Sequence, residues 1–325
     1  MTGSMIPKTL LTMSLMILLS GCDNSADSTS SIAEAPQASL SLNQWFDARY
    51  EEELQFSPVQ LSFLGRKERN NELGSFSYEA FTEELAWKKQ TVEELRELYD
   101  YASLTPAEQV SYDIWVYQYE QAAASAAYFY NGLSFDQMSG IQSFIPTFLI
   151  NFHRVEDESD LRAYIARIKD VAPRMEEMLE TAQKSADAGV VSPGFALDGV
   201  IEQASAIING RPFAENAAKD SDLWADFQQE AQALVAQQKI TQEVADALMQ
   251  DAKSALIKYF QPTYQSIIAW AETQKDRAPA IVTGVGSQPN GAAYYKHRLA
   301  TQTTTSLTAD EIHQIGLDEI TRLRR

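Results

Sequence analysis

Apolar residues recur at three- and four-residue spacing along most of this chain. Leu161, Tyr164, Ile165, Ile168 and Val171 share one side of a helical wheel, as do Leu85, Val92, Leu95, Leu98 and Tyr99. Such stripes are the core-facing surfaces of helices. Start signals agree: Thr105-Pro106-Ala107-Glu108 and Thr308-Ala309-Asp310-Glu311 are capping boxes, predicting helices that begin near Thr105 and Thr308. Breaks fall at Asn131-Gly132, between Gly189 and Gly194, at Asn209-Gly210-Arg211-Pro212, and between Pro279 and Gly291. The pattern predicts an all-α fold, an antiparallel multi-helix array without a fixed-period repeat. One segment departs from it. Residues 280–291 combine β-branched residues with Gly284, Gly286 and the turn Pro289-Asn290-Gly291, which predicts an irregular loop or short strand. Gly284-Val285-Gly286 lacks the third glycine of a dinucleotide fingerprint.

The N-terminus follows a different logic. Lys8 precedes an apolar run from Leu10 to Leu19, too short to span a bilayer comfortably, and the run ends in Leu19-Ser20-Gly21-Cys22. This is the pattern of a lipoprotein export signal, cut before Cys22 to leave a lipidated thiol; an uncleaved anchor is the other reading. Residues 1–21 are therefore a leader. Residues 22–41, rich in Ser, Ala, Asp and Gln, bury too little to offset their ordering entropy and read as a flexible tether. Residues 42–325 are left as the helical domain. Asp23 resembles the retention signal of Gram-negative lipoproteins, favouring the periplasmic side of the inner membrane. Cys22 is the sole cysteine, so an oxidising compartment adds no disulfide and a buried core must supply the stability.

Charge narrows the partners. With 26 basic and 45 acidic side chains the chain carries a net charge of −19, and removing the leader makes it one unit more negative. Such a surface repels nucleic acid and attracts cationic peptides. Acidic clusters such as Glu51-Glu52-Glu53 and Glu156-Asp157-Glu158 read as solvated helix faces, without calcium-loop spacing.

Catalytic signals are scarce. No Gly-x-Ser-x-Gly elbow, P-loop or paired cysteine occurs, and His153, His297 and His313 are each isolated in sequence, which predicts ordinary packed or surface histidines and no metal site. In the last helix Ile312, Ile315, Ile320 and Leu323 span an arc of about 140°, with Glu319 roughly 20° from Ile312. A carboxylate there is expected to be partly desolvated, snorkelling to Arg322 or another arginine, or serving a cleft. Tyr294, Tyr295, Lys296, His297 and Arg298 form the densest polar-aromatic cluster, read locally as the start of an amphipathic helix whose aromatics pack under the preceding loop.

Several motifs carry a family resemblance. Gly284-Val285, Pro289-Asn290-Gly291, Tyr294-Tyr295, Thr303-Thr304-Thr305, Leu307-Thr308, Glu311-Ile312-His313 and Gly316-Leu317-Asp318-Glu319 resemble, in order and spacing, the middle of the bacterial domain-of-unknown-function family 885. Phe260-Gln261-Pro262-Thr263-Tyr264 and the stretch from Phe46 to Gly65 are similar to that family as well. Its members look like mostly helical zinc metallopeptidases, often exported lipoproteins, distantly similar to carboxypeptidase Taq. The resemblance implies peptide hydrolysis by a His-Glu-x-x-His zinc site lying beyond the matched block. That motif is absent here, so this chain is expected to be the N-terminal part of a larger peptidase domain, inactive alone, with no catalytic residue of its own. Tyr294, Tyr295, Arg298 and Glu319 would then line one wall of a peptide cleft. The alternative is a non-catalytic helical lipoprotein that binds peptides or a partner protein at the cell envelope.

Overall fold

The computed structural model describes residues 40–281 and 284–325. The leader, Cys22, Asp23 and the tether through residue 39 lie outside the described residues. Twelve α-helices are described: α1 (Leu42–Glu53), α2 (Pro58–Phe63), α3 (Tyr78–Leu98), α4 (Pro106–Ser125), α5 (Ile141–Phe152), α6 (Glu158–Asp187), α7 (Gly194–Ile207), α8 (Asp222–Ala236), α9 (Gln242–Ala255), α10 (Gln261–Lys275), α11 (Gly291–Thr303) and α12 (Ala309–Leu323). The one β feature among the described residues is an isolated bridge between Arg211 and Asp220. The fold is all-α.

The helices start where local chemistry dictates. Thr105 and Glu108 form the predicted reciprocal cap of α4, and Thr308 and Glu311 that of α12. Ser41 and Gln44 cap α1 in the same way, as do Asp157 and Asp160 at α6. Each cap satisfies backbone N–H groups that the first turn leaves without partners. Between α9 and α10 a π-turn, Leu256–Phe260, keeps the helix continuous up to Pro262, whose ring nitrogen cannot donate; Gln261 N–H bonds back to Leu256 O instead.

Two cores result. The larger gathers the apolar faces of α5 to α10, and all five residues of the predicted α6 stripe are buried in it. A smaller one, built from Leu42, Trp45, Val92, Leu95 and Trp115, joins α1, α3 and α4. Leu98 departs from its stripe: at the last position of α3 and the edge of the apolar arc, it is exposed.

A segment without regular structure, between α2 and α3, is clamped along α6. Lys67 pairs with Asp160 at 2.7 Å; Arg167 donates to Asn70 Oδ1 at 3.0 Å and to Glu72 O at 2.9 Å. Farther along, Leu73 N–H donates to Asp170 at 2.8 Å and Phe76 N–H to Glu177 at 2.8 Å. Both series ascend together. Residues 67–72 are folded into turns, with Asn70 N–H bonded to Lys67 O and Glu72 N–H to Arg69 O; from Leu73 to Phe76 the strap advances about 10 Å while the helix from 170 to 177 rises about 10 Å, so there the two run side by side in step.

Near residues 280–291 the described residues form no strand. Val285–Ser287 is a single 3-10 turn, and Asn290, at φ +56°, leads into α11; Val282 and Thr283 lie outside the described residues. Gly291 has to be glycine, since a Cβ there would stand 2.1 Å from Val285 O.

Candidate functional site

The polar-aromatic cluster on α11 divides by helical face. Tyr294 and His297, three residues apart, face Tyr128 with ring centroids at 5.7 and 5.0 Å, and His297 Nε2 lies 2.9 Å from Ser125 Oγ. Thr301, one turn on, reaches toward Gln121 on α4. Asn131 holds the preceding loop by donating to Pro289 O at 3.1 Å. The adjoining flank presents Tyr295 and Arg298 to solvent, and the Arg298 guanidinium makes no hydrogen bond or ion pair among the described residues. Tyr294 is thus a packing residue, whereas Tyr295 and Arg298 are exposed.

Glu319 does not join them. Its carboxylate pairs with Arg322 at 2.7 Å, and its side chain is 52% exposed, against the expectation of partial desolvation. The reason is that no described element covers α12, which buries none of its residues. Ile315 and Ile320 are about half exposed and Leu323 more so; Ile312 alone of that stripe is partly shielded.

The three histidines stand apart. His153, after α5, is buried: Arg167 Nη1 donates to its Nδ1 at 2.9 Å, so its own proton sits on Nε2, which donates to Asp160 O at 2.9 Å. Burial, aided by the Arg167 charge, holds this imidazole neutral, its pKa down to about 4. His297 faces Ser125 and Tyr128, and His313 is exposed on α12. No group of three His, Cys, Asp or Glu side chains among the described residues has the arrangement of a metal site. The described donors therefore do not fit the zinc that the family resemblance implies.

Arg167 is the polar centre that periodicity alone does not announce. Fully buried on α6, it donates to Ser62 Oγ at 2.6 Å as well as to Asn70, Glu72 O and His153, and its guanidinium lies 5.0 Å from the Phe148 ring. Burial pulls its pKa down to about 10, so it stays charged at neutral pH. With every close acceptor neutral, this is a scaffold for the strap rather than a reactive centre.

Concave surfaces lie elsewhere on the molecule, two of them larger than 700 Å³. One, of about 740 Å³, lies among α5, α7 and the start of α8, where the hydroxyl of Ser221, the buried N-cap residue, makes no hydrogen bond. The other, of about 840 Å³, lies between α1, α3 and α4.

A family model described as bacterial protein of unknown function (DUF885) matches residues 58–325. The chain belongs to the DUF885 family. No curated protein matches it. Among solved structures, this DUF885 chain is similar to a "putative lipoprotein" from Colwellia psychrerythraea, with a TM-score of 0.69 and 18% identity over 87% of this chain and 50% of that one. At that identity the likeness shows a shared fold, and the chain spans half the length of the relative. No described helix is long and apolar enough to cross a membrane.

Proposed function

We propose that this chain is the peptide-facing helical portion of an exported, lipid-anchored DUF885 protein, held at the cell envelope through Cys22 on the periplasmic side and contributing a cleft wall to a peptidase-like molecule. The observation that carries the reading is the division of α11 into a docked face, Tyr294 and His297, and an open one, Tyr295 and Arg298. An exposed tyrosine beside an arginine without a partner suits the carbonyls and carboxylates of an extended peptide. The relative from Colwellia psychrerythraea, described as a lipoprotein, agrees with the anchor read from Leu19-Ser20-Gly21-Cys22. Hydrolysis by zinc would need ligands other than those described, and the scatter of His153, His297 and His313 favours, as the second reading, a lipoprotein that binds peptides or a partner protein without cleaving them.

Titration calorimetry with acidic and neutral peptides, followed by analysis for cleavage, tests this. Binding without cleavage, weakened several-fold by Arg298→Ala and by Tyr295→Ala, is expected. Peptides that fail to bind, or that bind equally well to both variants, would sink the cleft-wall reading. The anchor has its own test: palmitate should label the wild type and not Cys22→Ala, since several acyl chains at about 0.8 kcal/mol per buried methylene hold a protein to a bilayer.

A further inference from the structure

Lys88, on α3, is buried, yet its ammonium has two kinds of partner: it lies 3.0 Å from Glu53 Oε1 and 3.3 Å from the centroid of the Trp115 ring. The site has thus already solved the problem of holding one organic cation, with a carboxylate on one side and an aromatic face on the other. Around it opens the groove of about 840 Å³ between α1, α3 and α4, whose walls include Phe46, Tyr50, Phe81 and Ile114. Its charged groups are Asp47 and Glu53 from α1 with Glu84 and Lys88 from α3; α4 lines it without a charge. Three carboxylates face one ammonium.

Of these, Glu53 is paired with Lys88, while Asp47 and Glu84 are left without an ion-pair partner among the described residues. Glu84 stands one helical turn before Lys88, is exposed to the groove, and makes no hydrogen bond or ion pair among the described residues. Burial, with repulsion from Glu53, pushes its carboxyl up. A second cation beside Glu84 would relieve this excess of negative charge. An inorganic ion has no cage there, because the walls are largely aromatic and no three metal-ligating groups gather among the described residues. A planar guanidinium fits, pairing with the carboxylate through two N–H groups while lying on a ring.

The space also suits a chain rather than a small amine. Across α3 lies a second groove, of about 700 Å³, and both are lined by Phe81 and Glu84, so a ligand held at that junction can continue along either side. We propose that this junction binds an arginine-bearing segment of a basic peptide, its guanidinium on Glu84 among the aromatic walls of α1, α3 and α4. The net charge of −19 draws such peptides in. This site lies on α3, away from Tyr295 and Arg298 on α11, and takes the opposite charge, so the two proposals stand or fall separately.

The test is calorimetric titration of the intact chain with an acetylated, amidated Ala-Arg-Ala-Arg-Ala peptide, and with the same peptide carrying citrulline for arginine. Citrulline keeps the shape and removes the charge. Affinity should fall about tenfold or more with citrulline, and by a similar factor for the arginine peptide on Glu84→Gln, as expected for a bidentate charge pair. Glu84→Gln removes an unpaired carboxylate, so its thermal midpoint should not drop; the citrulline comparison, made on the wild type, holds even where the variant fails to fold. No binding, equal binding of the two peptides, or undiminished binding by a folded Glu84→Gln variant would overturn the proposal. Self-association abolished by Glu84→Gln would give the groove to a second copy instead, which also overturns it.

Discussion

Acidification should destabilise this protein through one imidazole. His153 accepts from Arg167 at Nδ1, so a proton added there would face a guanidinium N–H and a buried positive charge. Its folded pKa is down to about 4 against an ordinary 6.5. Between those values the unfolded chain binds a proton that the folded one refuses, so stability falls as pH drops below 6.5 and levels off once pH passes below 4. The full effect is about 3 kcal/mol, at about 1.4 kcal/mol per pH unit, of which about 2 kcal/mol is lost by pH 5. Urea denaturation followed by circular dichroism at pH 7.5 and pH 5.0, on the wild type and His153→Gln, isolates this contribution. Glutamine can still donate to Asp160 O but takes up no proton, and the carboxylates raised by burial, Glu84, Asp226 and Glu230, titrate alike in both proteins. The variant should be the less stable at pH 7.5, with the gap closing by about 2 kcal/mol at pH 5.0. A gap constant to within about 0.5 kcal/mol would refute the buried neutral tautomer.

Arg167→Met should cost about 3 kcal/mol or more in the same denaturation experiment, because Ser62, Asn70 and two backbone carbonyls lose their donor in a buried site; a loss under about 1 kcal/mol would show the strap to be held by packing alone. After dialysis the chain should retain far less than one equivalent of zinc by elemental analysis, and one tight equivalent lost on mutating His153, His297 and His313 would reveal a site that the described geometry does not contain. Amide hydrogens of α12 should exchange orders of magnitude faster than those of α6, since α12 buries nothing; protection equal to that of α6 would mean that something covers it in solution.

The helices were legible because their signals are local. Five residues of the α6 stripe, two capping boxes and every break belong to short windows of chain, and burial follows from their spacing. Arg167 was not legible, since its acceptors Asn70 and Glu72 lie nearly a hundred residues away and nothing near it in sequence announces them. Lys88 offered a faint sign. It falls inside the apolar arc of α3, where a cation has to find a carboxylate or an aromatic face, and it finds both. The division of α11 was half visible: spacing marks an amphipathic helix start, but that Tyr294 rather than Tyr295 turns inward depends on Tyr128, far off in the chain. The pairing of Glu319 with Arg322 was legible too, because the two stand three residues apart on one helix.

The strap along α6 sets a tolerance for change in length. Connections without regular structure are ordinarily where a family gains and loses residues. Here Leu73 and Phe76 meet Asp170 and Glu177 at matched heights, so deleting one residue between them would displace the later partner by about 3 Å. That is the span of a hydrogen bond. That stretch is therefore as fixed in length as the helix it follows, and the loop preceding α11 is likewise pinned at both ends, by Arg277 on Ala186 O and Asp187 and by Asn131 on Pro289 O.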